Sequence, residues 1–462
     1  MFKKLIRFSP GVALPMVLNF LLTILYASYL EPSEYGVLNL YLNTIQILYA
    51  VTLSVFQNAS LRCYSLKESY KGEKEFHSTY VYSNIATTLL LLPVSYIVNR
   101  FLHFDWLIVV LSVGCNGLFQ YMCNYHRLNN SPKKYNSIRM MSSLGAVVIL
   151  VVLSRLIHPL SYIWPIVSVY GMYGIVAIAE LLKIRNELHI KDISRNLLKE
   201  SFRYGVPLIG VSLSSYVISS CGQYFLQYYL GEEAVGNYAL GNRLVDAIIV
   251  NLLMMILLVM TPELNKKHDV EGENSSRQAL SKMTSAAMWI MLPITVAIIV
   301  YADSIITFVF PKYNDAAHIM RLVVFASLFH GLSMFTCKGL ELSQKTKYIF
   351  YSMVIAAVTN IGYNALGIPI YGIDASAHAS LIAYGIYNIL LVFFSRKCFR
   401  LLFDFRYFAK VIMVTICTVV FAIGLQKVYP INSMVSFLLQ GGLSIVVYMT
   451  LSFVTKLFAP LK

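Results

Sequence analysis

Charge is scarce in this chain: only 13% of its 462 residues are Asp, Glu, Lys or Arg, against 58% hydrophobic ones. A soluble surface uses about 25% charged residues, so half that share excludes an ordinary soluble domain and turns most of the surface toward lipid. Short alternating strands are missing, which excludes an outer-membrane barrel. The apolar stretches are long and continuous, as in helices whose backbone groups bond internally. No Cys-x-x-Cys pair occurs among the seven cysteines, and Cys115, Cys221, Cys337 and Cys417 fall inside apolar segments. Neither a disulfide framework nor a zinc site is expected. There is also no P-loop, no dinucleotide glycine fingerprint and no metal-spaced His/Glu set. We therefore expect no cofactor, no metal and no ATP coupling within the chain.

What the chain does have is a series of apolar segments, at 10–30, 36–61, 78–99, 106–125, 140–157, 160–182, 204–230, 236–262, 280–302, 317–342, 347–370, 372–395, 407–428 and 432–455. About 20 apolar residues cross a bilayer core as a helix, which gives about fourteen spans. The basic stretch Met1–Arg7 before the first run resembles a signal peptide, but the run continues to Leu30 and the rest is equally apolar, so it reads as an uncleaved first span. The longest connections, 183–203 and 263–279, are too short for a folded domain.

Lys and Arg outnumber Asp and Glu 37 to 22. In a soluble protein a net charge of +15 would suggest nucleic acid. The positions say otherwise. With the N-terminus inside, 30 of the cations fall on inner segments; only Arg100, Arg155, Lys312 and Lys427 lie on outer loops, and Arg243, Arg321 and Lys338 lie within spans. This positive-inside alternation places both termini in the cytoplasm and accounts for the basic character without a nucleic-acid partner.

Leu30-Glu-Pro-Ser-Glu-Tyr-Gly36-Val-Leu-Asn-Leu40 follows the first span, and Leu230-Gly-Glu-Glu-Ala-Val-Gly236-Asn-Tyr-Ala-Leu240 follows the seventh. Leu30/Leu230, Gly36/Gly236 and Leu40/Leu240 share an offset of 200. One reading is coincidence between similar acidic turns. The other is two six-span halves related by an axis along the membrane normal, a common transporter plan with the substrate site between the halves. The second reading gives an N-terminal bundle at 1–182, a cytoplasmic linker at 183–203, a second bundle at 204–395 and an added two-helix hairpin at 396–462.

At these residues the chain resembles the polysaccharide transporter (Wzx-type O-antigen flippase) family of the multidrug/oligosaccharidyl-lipid/polysaccharide (MOP) exporter superfamily. Leu30-Glu-Pro-Ser-Glu-Tyr-Gly36 is similar to the family's Leu-Gly-Pro-x-Glu-Tyr-Gly turn. Tyr204-Gly-Val-Pro207, continuing to Tyr229-Leu-Gly-Glu-Glu-Ala-Val-Gly-Asn-Tyr238, is similar to its Gly-x-Pro span ending in Leu-Gly-x-x-x-Val-Gly-x-Tyr. Ile368-Pro-Ile-Tyr-Gly372-Ile-Asp-Ala-Ser-Ala377 is similar to Ile-Pro-x-Tyr-Gly-Ile-x-Gly-Ala-Ala. Two places depart from the pattern. Gly222-Gln223 stands where many relatives carry Asp-Arg, and Asp374-Ala375 replaces the x-Gly step. The resemblance implies an all-α fold of two lateral bundles around a central V-shaped cavity. It also implies alternating access carrying an undecaprenyl-diphosphate-linked oligosaccharide across the cytoplasmic membrane, for O-antigen, capsule or exopolysaccharide synthesis. A polysaccharide polymerase and a chain-length regulator are partners it would suggest.

Such a substrate needs cations for its diphosphate and polar or aromatic contacts for its sugars. Arg243 and Asp246, three residues apart on one face of the eighth span, are the leading candidates: a guanidinium fork matches phosphate oxygens, and Asp246 can hold it or take a proton. A structural ion pair near the outer interface is the alternative. The offset of 200 puts Asn43 and Gln46 at the matching places of the second span. The tenth span carries Arg321, His330, Lys338 and Glu341; Arg321 lies off the face shared by the other three. Lys338 and Glu341 sit near a helix end, where long side chains snorkel to water. His330 lies deeper, as a proton acceptor or a packed histidine. Arg7 and Arg62 are candidates for attracting a diphosphate at entry, although basic residues belong there anyway. Tyr41, Tyr49, Tyr216, Tyr224 and Tyr228 offer faces for sugars or simple packing. Pro15, Pro207 and Pro293 predict bends. Two other classes stay open: a membrane polymerase, disfavoured by the short outer loops, and a cation-coupled drug antiporter of the same superfamily.

Overall fold

The computed structural model describes residues 10–64, 72–102, 105–157 and 159–457, and all regular structure in them is helical. Fifteen α-helices follow one another: α1 (Pro10–Tyr29), α2 (Pro32–Val51), α3 (Ser54–Cys63), α4 (Glu73–Leu102), α5 (Trp106–Leu128), α6 (Pro132–Leu156), α7 (Ile163–Ile184), α8 (Arg195–Leu230), α9 (Glu232–Glu271), α10 (Glu273–Val309), α11 (Ala316–Leu342), α12 (Thr346–Tyr371), α13 (Asp374–Ser395), α14 (Phe405–Val428) and α15 (Met434–Val454). Among the described residues, ten helices are long and apolar enough to cross a membrane, or up to twelve when each of two bent pairs counts as one span. The shorter apolar stretch Leu14–Tyr29 of α1, and α4, which opens on Glu73-Lys-Glu-Phe-His-Ser-Thr, stand outside that count. This is a multi-pass helical membrane protein.

The bends have local causes. The expected second span breaks by 45° between α2 and α3, where the Thr52 hydroxyl donates to the Leu48 carbonyl (2.5 Å) and the Ser54 hydroxyl to that of Ala50 (2.5 Å). Such back-bonding competes with the helical ladder and bends it. α8 bends by 41° between Val206 and Leu208, because Pro207 brings no N–H to the ladder. The segment 263–279 differs from the expected connection. α9 runs on to Glu271 and α10 starts at Glu273, with only Gly272 between them at φ +87°, a conformation glycine adopts without steric cost. At about 1.5 Å per residue, a helix as long as α9 reaches well past the roughly 30 Å hydrocarbon core. The two acidic turns share one local form: α2 starts at Pro32 and α9 at Glu232, with Gly36 and Gly236 buried in their early turns.

By internal packing the chain divides into two compact units, Met1–Tyr216 and Val217–Lys462, with the boundary inside α8. In unit 1, α1 packs on α6, α5 on α4 and α7, and α6 on α7. In unit 2, α11 packs on α9, α10 and α13, α13 on α12, and α10 on α14. Small residues set these approaches. A Cβ on Gly331 of α11 would lie 2.0 Å from Leu253 Cδ1 of α9, and one on Gly241 of α9 would lie 3.0 Å from the Ala316 carbonyl. Close backbone contact of this kind is how helices associate where lipid removes the hydrophobic drive. α14 and α15 bury only 22% of their apolar windows; the rest of their apolar surface is left to acyl chains.

Candidate functional site

The α9–α11 contact in unit 2 carries the richest set of buried polar groups. Asp246 lies well inside α9, one turn beyond Arg243, and both are half-buried. The Ser327 hydroxyl of α11 donates to Asp246 Oδ1 (2.5 Å), and Asn242 Nδ2 donates to Oδ2 (3.1 Å). One turn along α11, His330 stacks on Tyr384 of α13, with ring centroids 4.5 Å apart and planes 14° from parallel. One further turn along α13, Asn388 donates to the carbonyls of Phe329 and Tyr384 (both 2.8 Å) and accepts from Thr336 (3.1 Å). His330 and Arg243 both act electrostatically on the Asp246 carboxylate.

An ionised side chain within a span costs at least about 2.5–3.5 kcal/mol at the centre. Here the hydrogen bonds from Ser327 and Asn242 offset part of that cost. Chemically, the arrangement offers a guanidinium for a phosphate at Arg243, a hydrogen-bonded carboxylate at Asp246 and, on α11, an imidazole at His330 stacked on Tyr384.

The other expected residues disperse. Arg321, near the start of α11, pairs with Asp303 of α10, and its Nε donates to the Ile299 carbonyl (3.3 Å). That anchors it between two helices, away from Asp246. Lys338 and Glu341 form an i,i+3 pair at 2.6 Å near the far end of α11, with Glu341 exposed. In unit 1, Asn43 is buried in α2, and Gln46 Nε2 reaches Tyr170 Oη of α7 at 3.5 Å. Arg62 is exposed at the end of α3, and Arg7 lies outside the described residues. Tyr41 accepts from the Asp105 backbone N–H (2.7 Å) and packs on Tyr162 with ring centroids 5.0 Å apart and planes tilted by 34°, whereas Tyr228 is largely exposed.

Unit 1 holds two polar clusters that the sequence did not reveal. Gln57 of α3 donates to Asn84 Oδ1 (3.2 Å) and to the Gly117 carbonyl (2.9 Å), while Asn124 donates to Gln57 (3.3 Å). His126 of α5 meets Glu180 of α7 at 2.9 Å, and Lys183 meets the same carboxylate at 2.5 Å. The only available signal was an amide, histidine or carboxylate inside an apolar run, and nothing in one sequence pairs residues 54 positions apart.

Unit 2 also contains an apolar cavity of about 450 Å³ among α10, α14 and α15, lined by Trp289, Pro293, Ile298, Tyr301, Phe437 and Tyr448 among others. Its walls suit a hydrocarbon chain.

Long apolar spans with a polar cluster buried inside one helical unit mark this as a polytopic membrane protein with a polar interior. The fold superposes on that of "Lipid II flippase MurJ, inward closed conformation" with a TM-score of 0.77, covering 99% of both chains at 15% identity. It also superposes on an inward-facing multidrug resistance MATE transporter of the MOP superfamily, with a TM-score of 0.65 over 84% of this chain and 97% of that one, at 14% identity. The profile of the family described as "Polysaccharide biosynthesis protein" matches residues 25–318. The chain belongs to that family, as the three motifs suggested. Among curated proteins it is similar to the "Probable low-salt glycan biosynthesis flippase Agl15" of Haloferax volcanii, 20% identical over 285 residues that make up 59% of each chain. It is also similar to the "Uncharacterized membrane protein MJ1068" of Methanocaldococcus jannaschii, 24% identical over 307 residues, 64% of this chain and 59% of that one. The alignments thus span about three fifths of the length of these relatives.

Proposed function

We propose that the protein is a flippase that carries a lipid-linked oligosaccharide across the membrane by alternating access, the oligosaccharide riding on a polyprenyl diphosphate such as undecaprenyl diphosphate. The observation that carries this reading is the polysaccharide-biosynthesis match over residues 25–318 on a flippase-like fold. The fourteen spans, the two six-helix bundles with a C-terminal hairpin, the cytoplasmic placement of both termini in a bacterial inner membrane and the role in surface polysaccharide synthesis belong to the same proposal, as do a downstream polymerase and chain-length regulator as partners. Translocation forms and breaks no covalent bond, so no catalytic residue is assigned. Arg243 binds the diphosphate, Asp246 holds the guanidinium or takes a proton during transport, His330 is a second proton acceptor, and the apolar cavity lined by Trp289 and Tyr448 matches the chemistry of the polyprenyl tail. Asn43, Gln46, Arg62, Arg7, Lys338 and Glu341 are secondary contacts in this scheme, and Arg321 positions α11.

The test is genetic. A strain lacking the gene is complemented with wild type or with Arg243→Glu, and surface polysaccharide and membrane protein level are both measured. The proposal expects normal protein and no surface polymer from the variant. Full surface polymer from Arg243→Glu would remove Arg243 from the site. A deletion strain with intact polymer but raised drug sensitivity would favour an antiporter instead.

A further inference from the structure

The connection between α13 and α14 has no part in the scheme above, yet it is built like a receptor. Its sequence, Arg396-Lys-Cys-Phe-Arg-Leu-Leu-Phe-Asp-Phe-Arg-Tyr-Phe-Ala-Lys410, interleaves aromatic and basic residues. Phe399 pins it: the ring is fully buried against Gly339 of α11, and the Arg277 guanidinium lies 5.6 Å over it. With the loop held there, Leu402, Phe403, Phe405 and Phe408 are exposed by 38–78%. They also form one wall of a second cavity, of about 330 Å³, whose other wall is Met288 of α10 and Leu332 of α11.

Cations alternate in sequence with the residues of both walls. Arg406 stands between Phe405 and Tyr407, and Lys282 follows Ser281, which lines the cavity with Thr284. Arg396, Lys397, Arg400, Arg406, Lys410 and Lys282 are all exposed, and among the described residues none of the six forms an ion pair. The acid in the segment, Asp404, is engaged in accepting the Tyr407 N–H (3.0 Å) at the start of α14.

An apolar slot lined by Phe403, Phe405, Tyr407 and Phe408, with exposed cations on the same two segments and Asp404 tied to the start of α14, has the chemistry of a membrane-interface site. We propose that this slot binds an anionic phospholipid, with one acyl chain between the α10–α11 wall and the Phe403–Phe408 wall and the phosphate held by Arg400, Arg406 and Lys282. A water-soluble anion would not need the apolar slot, and a zwitterionic lipid would leave the excess cations uncompensated. The site is independent of what the protein carries, so failure of the flippase reading leaves it standing.

Native mass spectrometry of the purified full chain, titrated with phosphatidylglycerol or with phosphatidylcholine of the same acyl chains, tests it. Each interfacial cation contributes about fivefold to binding of anionic lipid. Wild type should therefore prefer phosphatidylglycerol by about tenfold or more, and Arg400→Gln/Arg406→Gln/Lys282→Gln should lose that preference. Ser285→Phe, which fills the slot without changing charge, should weaken phosphatidylglycerol binding several-fold. Equal binding of the two lipids by wild type, or selectivity retained in the triple variant, overturns the proposal. So does complete displacement of phosphatidylglycerol by equimolar inorganic phosphate, which would mark a plain anion site.

Discussion

In unit 1, Gln57, Asn84 and Asn124 satisfy one another as neutral amides, and the ionisable set His126–Glu180–Lys183 lies toward the ends of α5 and α7, with Lys183 mostly exposed. In unit 2, a carboxylate sits well inside α9, held by Ser327 and Asn242 and flanked by His330 and Arg243. Neutral amides lock helices together at little electrostatic cost. A carboxylate kept far from a helix end in a lipid-facing protein is expensive and marks a working group. Under the proposed function, the contrast leads us to expect scaffolding from the unit 1 clusters and substrate or ion handling from the unit 2 cluster.

The largest effect should come from Asp246. Asp246→Asn keeps the size of the side chain and removes its charge, and is expected to lower translocation by about tenfold or more with the protein still folded. Glu180→Gln in unit 1 is expected to leave transport within about twofold while costing about 1–3 kcal/mol of stability, as a buried bond partner is lost. Transport assays paired with thermal unfolding separate the two; equal loss of transport in both variants would break the contrast.

Two glycines sharpen it next. A Cβ on Gly205 of unit 1 would lie 2.9 Å from the Val55 Cα, a backbone atom that cannot rotate away. Gly205→Ala should cost about 1–3 kcal/mol as overpacking. A Cβ on Gly222 of unit 2 would lie 2.1 Å from Ser376 Oγ and 2.9 Å from Asn364 Oδ1. Gly222→Ala should cost a similar amount, but Ser376→Ala in the same chain should recover most of it, since Ser376 Oγ has no hydrogen bond to lose. Unfolding midpoints of the single and double variants in detergent check this. The smallest effect is expected at Lys338, whose pair with exposed Glu341 is worth about 0.2–1 kcal/mol. A change in transport well beyond twofold in Lys338→Gln would promote that end of α11 to a second binding site.

Most of the helical plan was legible because the length of an apolar run is a local property. The apolar runs matched helices, and the two acidic turns start α2 and α9 at the same offset. Three things were hidden. The break at Thr52 depends on two hydroxyls choosing backbone partners. The helix through residues 263–271 is polar and so looked like a loop. The partners of charged residues come from distant turns: Ser327 meets Asp246, and Asp303 takes Arg321 out of the site. Gly222 illustrates the same limit. Beside the family pattern it reads as a missing charge, while the structure adds a steric reason for a residue without a side chain, set by Ser376 and Asn364.

The most direct measurement reconstitutes wild-type protein and Asp246→Asn in proteoliposomes containing a labelled polyprenyl-diphosphate oligosaccharide, then counts label newly accessible to an impermeant sugar-cleaving enzyme added outside. The account predicts rapid exposure by wild type and a rate near that of empty liposomes for the variant. No exposure by wild type, or equal rates for the two proteins, would contradict it.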